Sequence, residues 1–244
     1  MRVEGFVIHL ARATQRRPQV EALRARLPIP VHVIDAVDGR AMTPAEIAAV
    51  CRPALHRPYY PFALNCGEIG CFLSHRKAWR EIVERGLDAG LVIEDDVSVD
   101  IDGLARIMDL VKTRAGPGDF VRFPQKHGGE TGPVVCTGNG GASLIEPVTP
   151  AFGMVMQLVG RDAAQKLLAA TETFDRPVDA VLQMRWLHGV RILSARPLVT
   201  KEISHELGGT LVQASRRGLI ETIVREVRRP LYRGSVRLKN RLGT

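Results

Sequence analysis

Three consecutive carboxylates follow a run of apolar residues in the segment Leu91-Val92-Ile93-Glu94-Asp95-Asp96. Like charges placed side by side repel one another, so folding alone gives no reason to put them at the end of a buried strand. On extended backbone, the side chains at positions i and i+2 point the same way, so Glu94 and Asp96 would share one face. Carboxylate oxygens suit a hard divalent cation, which could in turn hold a diphosphate. The alternative interpretation is a solvated acidic turn after a strand.

The composition is that of an ordinary soluble globular protein. The chain has 244 residues, of which 45% are hydrophobic and 25% charged, enough for one sizeable core or two small ones. No run approaches the roughly 20 apolar residues that a membrane span needs, and no secretory signal begins the sequence, so we expect a cytoplasmic location. The four cysteines show no CxxC pair and no matching histidine spacing for zinc, which predicts reduced thiols.

The positive charge is concentrated at the C-terminal end. Residues 214–244 contain nine basic and two acidic residues, which accounts for nearly all of the formal net charge of +8. The nearly neutral remainder argues against a nucleic-acid-binding surface in the fold. Apolar residues recur at helical spacing among these arginines, a pattern that suits the surface of an anionic membrane. We therefore predict a domain over 1–213 and a basic amphipathic tail over 214–244, with a solvated tail as the alternative.

Strands alternate with helices along the chain. The pattern predicts strands near residues 3–10, 31–34, 91–94, 119–123, 152–158 and 190–193, and helices near 12–27, 44–50, 69–85, 102–114, 161–170 and 178–187. The glycine-rich stretch from Lys126 to Gly141 has no period and predicts a loop, which could close over a bound ligand. Alternating strands and helices indicate an α/β fold in which helices flank a central, mostly parallel sheet.

Three segments, in this order, form a distinctive combination. The first is the opening strand Phe6-Val7-Ile8-His9-Leu10 with Arg12 and Arg16. The second is the block Gly67-Glu68-Ile69-Gly70-Cys71-Phe72-Leu73-Ser74-His75, followed by Ala78-Trp79, and the third is the acidic segment that ends in Glu94-Asp95-Asp96. Together they cover roughly the first hundred residues and resemble glycosyltransferase family 25, which includes bacterial lipooligosaccharide galactosyltransferases. His9 stands in place of the asparagine of many members.

The resemblance implies a GT-A-type fold, which binds nucleotide sugars, and a metal-dependent inverting transfer. A hexose, with galactose favoured, would pass from a UDP-sugar donor to a lipooligosaccharide or another oligosaccharide acceptor. Glu94 and Asp96 would hold Mn²⁺ or Mg²⁺, and Asp95 would contact the donor. The other donor-binding candidates are Leu10, Arg12, Arg16 and Ser74. A lipid-linked acceptor would place the protein on the inner face of the cytoplasmic membrane, with the basic tail as the contact.

Inverting transfer also needs a group that removes a proton from the acceptor hydroxyl. Asp179 is the preferred candidate because it follows Pro177 and opens a predicted helix, although an acid at that position also suits the helix dipole. Glu68 and His75 are the other candidates. Two further classes of function remain open: a metal-dependent nucleotidyltransferase or phosphotransferase that uses the same acidic cluster, and a non-catalytic module that binds a nucleotide or a glycan.

Overall fold

The frame of the protein is a central sheet of eight strands. The computed structural model describes residues 1–126, 130–209 and 219–242, and these residues contain ten strands in all. In chain order the strands are β1 (Val3–His9), β2 (Val31–Asp35), β3 (Ala89–Glu94), β4 (Val97–Val99), β5 (Asp119–Arg122), β6 (Val134–Thr137), β7 (Ser143–Ile145), β8 (Met156–Gly160), β9 (Arg191–Arg196) and β10 (Thr200–Glu202).

The central sheet has the order β2-β1-β3-β8-β5-β9-β7-β6. Strands β1, β2 and β3 pair in parallel, as do β5 and β9, whereas β8 runs antiparallel between β3 and β5. Strands β7 and β6 complete the sheet with antiparallel pairings. Six of these eight described strands therefore run in one direction, which confirms the α/β class with a mostly parallel sheet. Strands β4 and β10 form a separate antiparallel pair.

Helices cover both faces of this sheet. They are α1 (Arg17–Arg26), α2 (Pro44–Val50), α3 (Cys66–Glu84), α4 (Ile101–Arg114), α5 (Arg161–Ala170), α6 (Val178–Leu182), α7 (Arg185–His188) and α8 (Leu219–Leu242). One apolar cluster lies between the sheet and α1 with α4. The other lies between the sheet and α3, α5 and α6. Strand β3 lies between the two clusters and is almost wholly buried, which explains its continuous run of apolar residues.

Helix α3 begins at Cys66, three residues before the predicted start at Ile69. Asn65 caps it: the Asn65 side chain accepts a 2.9 Å hydrogen bond from the Glu68 amide, and the Glu68 carboxylate accepts a 2.8 Å bond from the Asn65 amide. This reciprocal pair satisfies two backbone donors that a helix start otherwise leaves without partners. The helix buries Phe72 and Trp79 and carries the Ser74-His75 pair toward the end of β3.

Several predicted boundaries are wrong. The helix predicted from residue 12 begins only at Arg17, because residues 14–16 form a separate 3₁₀ turn. The strand predicted from residue 152 begins at Met156, since Gly153 has a φ of +104°, which is incompatible with extended strand backbone. The predicted helix over 178–187 is divided into α6 and α7. The predicted glycine-rich loop contains strand β6, and its residues 127–129 lie outside the described ranges.

The C-terminal part of the chain forms helix α8. The predicted boundary at residues 213 and 214 lies outside the described residues, as do the side chains of residues 210–227. Beyond them, however, Tyr232 and Val236 are buried against the domain, and the Asn240 amide donates to the carbonyl oxygens of Val148 and Gln183. The described part of the tail is therefore packed onto the domain. Among the described helices, none has the length and apolarity needed to cross a bilayer.

Candidate active site

A cleft of about 620 Å³ opens at the edge of the sheet where the parallel strands β1 and β3 end. In open α/β sheets, the carboxyl ends of parallel strands are where ligands generally bind. The ten residues that the sequence singled out all line this cleft, although their individual roles stay predictions. They are Leu10, Arg12, Arg16, Glu68, Ser74, His75, Glu94, Asp95, Asp96 and Asp179.

Asp95 is held by two basic side chains. Its Oδ1 accepts a 2.6 Å hydrogen bond from Nη1 of Arg16, and its Oδ2 lies 2.7 Å from Nδ1 of His9. Arg16 also approaches Asp96 to within 3.0 Å and donates to the carbonyl oxygen of Gly209. His9, Arg16 and Asp95 are almost fully buried. Arg16, predicted as a donor contact, thus has its guanidinium bound to the acidic cluster, and His9 fixes the orientation of the central carboxylate.

Glu94 and Asp96 lie in a strongly acidic environment. Glu94 is the last residue of β3, while Asp95 and Asp96 form the turn that leads to β4, so the three do not continue one extended strand as the sequence predicts. Burial, together with the charges of Asp96 and Asp95, raises the pKa of Glu94 to about 8. Burial also raises the pKa of Asp96, against the opposing effect of Arg16. A divalent cation would relieve this accumulation of negative charge.

A second group of metal-ligating side chains includes Glu94. Ligand atoms of Cys71, His75 and Glu94 lie within 4.8 Å of one another. The Nδ1 atom of His75 is 3.0 Å from the carbonyl oxygen of Cys71, and burial lowers the pKa of the His75 imidazole while it raises that of the Cys71 thiol. The sequence analysis found no cysteine and histidine spacing typical of zinc, and in the structure Cys71 and His75 lie close to Glu94. Cys71 and His75 are four residues apart on α3, and that spacing was the available signal.

Asp179 lies in the first turn of α6 and lines the cleft. Its Oδ2 accepts a 2.9 Å hydrogen bond from the amide of Gly153, whose carbonyl oxygen is bound by Arg122. Burial raises the pKa of the Asp179 carboxyl, against the opposing effect of that amide bond. A carboxylate with a raised pKa is a stronger base, so Asp179 combines access to the cleft with the chemistry of a proton acceptor.

Other predicted site residues contact the protein itself. The hydroxyl of Ser74 accepts from the Val37 amide at 2.8 Å and donates to the Gly70 carbonyl oxygen at 2.6 Å, so it fixes the loop after β2. Glu68 caps α3 through one carboxylate oxygen, as expected of an acid near a helix start. Arg12 donates from Nε to Asp38 at 2.6 Å on the rim of the cleft. For Ser74 and Glu68, these bonds support a positioning role.

The cleft also contains residues that the sequence analysis did not select. They are supplied by the loop after β2, the loop before α3, the segment after β5, the segment around Gly153, β10 and α8. They include Asp38, Arg40, Tyr60, Phe62, Gln125, Phe152, Glu202, Arg229, Tyr232 and Arg233. Turn composition was the only sequence signal near Asp38 and Arg40. The α8 residues could not be placed because nothing in a basic amphipathic pattern says which face packs on the domain.

Comparison with protein families matches residues 3–124 to the model of glycosyltransferase family 25, described as an LPS biosynthesis protein. The match covers half of the chain and contains Arg16, the block on α3 and the acidic cluster after β3. All three segments on which the resemblance rests therefore fall inside the matched region.

Curated relatives extend the likeness. A protein of Rattus norvegicus named probable inactive glycosyltransferase 25 family member 3 is 31% identical over 227 residues, which cover 85% of this chain and 39% of the relative. Procollagen galactosyltransferase 1 of Danio rerio is 38% identical over 112 residues, which cover 45% of this chain and 18% of the relative. The chain thus spans well under half the length of these relatives.

Among solved structures, mannose-1-phosphate geranyltransferase from Thermus thermophilus superposes on the chain with a TM-score of 0.40. It is 13% identical, and the match covers 86% of this chain and 80% of that chain.

Proposed function

The chain belongs to glycosyltransferase family 25, and from the chemistry of its cleft we propose that it is a metal-dependent hexosyltransferase. The donor we propose is a UDP-sugar, with UDP-galactose favoured because several relatives carry the name galactosyltransferase. The acceptor we propose is the hydroxyl of a lipooligosaccharide or another surface glycan, in keeping with the description of the family. Inversion at the transferred carbon is part of the same proposal.

The observation that carries the proposal is the excess of carboxylates over cations where β3 ends. Glu94, Asp96 and Asp179 each have a raised pKa, and Arg16 is the cation that lies against the cluster. Groups that are perturbed in this way within a cleft are typical of functional sites. A solvated acidic turn would leave these carboxyls near their usual pKa values, so the environment favours a site that gains from a bound cation.

The residues present fit a divalent cation. Carboxylate oxygens of Glu94 and Asp96 would suit Mn²⁺ or Mg²⁺, whereas Cys71 and His75 together with Glu94 would suit the softer Zn²⁺. We favour the oxygen ligands, because burial raises the pKa of the Cys71 thiol and so disfavours the thiolate that a metal would bind. When bound, the cation would neutralise the charge that develops on the departing diphosphate.

Within this proposal, the chain's own residues divide the remaining work. Arg16 and His9 hold Asp95 in one orientation and so fix the turn that presents Asp96. Asp179 accepts the proton of the acceptor hydroxyl, and the amide of Gly153 orients its carboxylate.

Replacing Asp179 by Asn should lower kcat by at least about a hundredfold and remove the acidic limb of the pH profile, with little change in KM for the donor. A retained acidic limb would assign the base elsewhere.

The direct test measures release of UDP from UDP-galactose and other UDP-sugars in the presence of a glycan acceptor. With Mn²⁺ present, we expect the protein to release UDP and the Asp96→Ala variant to lose at least about a hundredfold in rate, while its melting temperature stays within a few degrees of wild type. Arg17→Ala, an exposed change on α1, serves as the matched control. Undiminished turnover in Asp96→Ala would contradict the proposed cation site.

The same assay separates the alternatives. Release of pyrophosphate or phosphate in place of UDP would indicate a nucleotidyltransferase or phosphotransferase. The rat relative that matches most of this chain is named probable inactive, so a binding module is the second candidate. Donor-induced thermal stabilisation without any turnover, across the sugar nucleotides and with Mn²⁺, Mg²⁺ and Zn²⁺ in turn, would favour that candidate.

A further inference from the structure

Helix α8 has two apolar faces in its described part. The first consists of Tyr232 and Val236, four residues apart, whose side chains are buried against the domain. The second consists of Leu231, Leu238 and Leu242, which are 66%, 59% and 65% exposed. Spacings of seven and four residues place these leucines in one stripe along the helix. Packing on the domain therefore uses one face and leaves a second stripe in contact with solvent.

The exposed leucine stripe, meaning Leu231, Leu238 and Leu242, is bordered by positive charge. Arg228 and Arg241 are exposed on either side of it. Residues 228–242 contain six basic residues and no acidic one. A second copy of the helix would bring like charges together, and a basic peptide partner would be repelled in the same way. A surface with negative charge above an apolar layer could bind the arginines and bury the leucines at the same time.

We propose that the exposed leucine stripe and its bordering arginines dock on the surface of a bilayer that contains anionic lipids. The helix would lie in the plane of the surface, with its leucines in the boundary between headgroups and acyl chains. Arg229 and Arg233 of the same helix line the cleft, so docking would bring the cleft to within roughly one helix diameter, about 10–12 Å, of the lipid. This inference concerns where the protein binds and does not depend on the transfer reaction.

Vesicle sedimentation with the full chain tests the proposal. We expect the protein to bind vesicles of phosphatidylcholine with phosphatidylglycerol, and to bind pure phosphatidylcholine vesicles more weakly. Raising the salt concentration should weaken the anionic component. The triple variant Leu231→Ser, Leu238→Ser and Leu242→Ser should bind at least about tenfold more weakly. The double variant Arg228→Glu and Arg241→Glu should lose at least roughly twentyfold, since each basic residue contributes about fivefold.

Matched variants separate this face from general effects. Val33→Ser with Val134→Ser removes exposed apolar side chains elsewhere, and Arg17→Glu with Arg26→Glu makes the same change in charge on α1. Both controls should bind vesicles as wild type does. Equal binding to neutral and anionic vesicles, or unchanged binding by the leucine and arginine variants, would overturn the proposal. Concentration-dependent dimers that vanish in the leucine variant would assign the stripe to a second copy of the chain and would overturn it equally.

Discussion

The three carboxylates at the end of β3 have the same chemistry but different surroundings. Asp95 is bound on both oxygens by His9 and Arg16, and these contacts fix the position of its carboxylate. Glu94 has no such cationic partner at close range in the described structure, and its pKa rises to about 8. The environment of Asp96 is intermediate between these two: Arg16 lies 3.0 Å from its carboxylate, yet burial raises its pKa. Environment, more than residue type, therefore decides which carboxylate is available to a cation.

Glu94 should make the metal-free protein less stable as the pH rises. Its pKa is about 8 in the folded state against a usual value of 4.5, so the unfolded state releases the proton first between these values. The free energy of unfolding should then fall, relative to Glu94→Gln, by on the order of 1 kcal/mol per pH unit from about pH 5 to pH 8. Denaturant unfolding of both proteins in a chelator measures this difference.

Added Mn²⁺ should abolish this pH dependence in the wild-type protein, because the cation replaces the proton on Glu94. Glu81→Gln, a change in an exposed ion pair on α3, provides the control and should show no comparable slope. A difference between wild type and Glu94→Gln that stays constant over the same pH range would contradict the raised pKa.

At the scale of elements, helix α3 and the loop after β2 are in direct backbone contact. Gly70 lies against the carbonyl oxygen of Val37 and the backbone of Gly39, and Ser74 binds the Val37 amide from one turn further along the helix. The same loop supplies Asp38 and Arg40 to the cleft. The helix therefore positions one wall of the site. The close approach of the two backbones is possible because residue 70 is a glycine and has no side chain.

Replacing Gly70 by Ala should displace this loop. A methyl group at Gly70 would overlap the carbonyl oxygen of Val37 and would lie only 2.8 Å from the Gly39 amide nitrogen. We expect a loss of about 1–3 kcal/mol in the free energy of unfolding and a raised KM for the donor, because the loop lines the cleft. Gly118→Ala is the matched control, since no atom lies within 4 Å of the added methyl group there. Equal stability of the two variants would show that the contact is unimportant.

Local patterns predict some of these elements well and others poorly. The bounds of α2 follow from its capping box and those of α5 from apolar periodicity, and the acidic cluster after β3 could be identified from three adjacent residues. Arg16 could not be understood in that way, because its partners Asp95 and Gly209 are 79 and 193 residues away in the chain. Strands β6 and β7 are too short for a period and depend on pairing with each other and with β9.

At the scale of the whole molecule, segments far apart in the chain line the same cleft. The first strand and the turn that follows it supply Leu10, Arg12 and Arg16, and helix α8 supplies Arg229, Tyr232 and Arg233. The hydroxyl of Tyr232 accepts a 2.9 Å hydrogen bond from the buried Arg176, which ties α8 to the segment before α6. Membrane docking and catalysis would thus involve the same helix, which the sequence pattern alone presented as a separate tail.

Helix α8 should therefore contribute to the stability of the domain. Val236→Ala creates a cavity at a fully buried position and should lower the free energy of unfolding by about 2 kcal/mol. Leu238→Ala removes a larger side chain from an exposed position of the same helix and should change it by less than about 0.5 kcal/mol. Chemical denaturation of both variants gives the comparison, and equal effects would mean that the helix is not packed on the domain.

The two tryptophans of the chain lie close to the acidic cluster and to helix α8, respectively. Trp79 is fully buried, with its ring 6.5 Å from that of His75 beside the acidic cluster. Trp186 lies on α7, and the amino group of Lys239 on α8 is 4.9 Å from the centre of its ring. Replacing either one by Phe leaves a single tryptophan, whose indole can be excited selectively in the presence of the three tyrosines. We expect the emission of Trp79 to respond to changes around His75, and that of Trp186 to respond to the packing of α8 on the domain, without any added label.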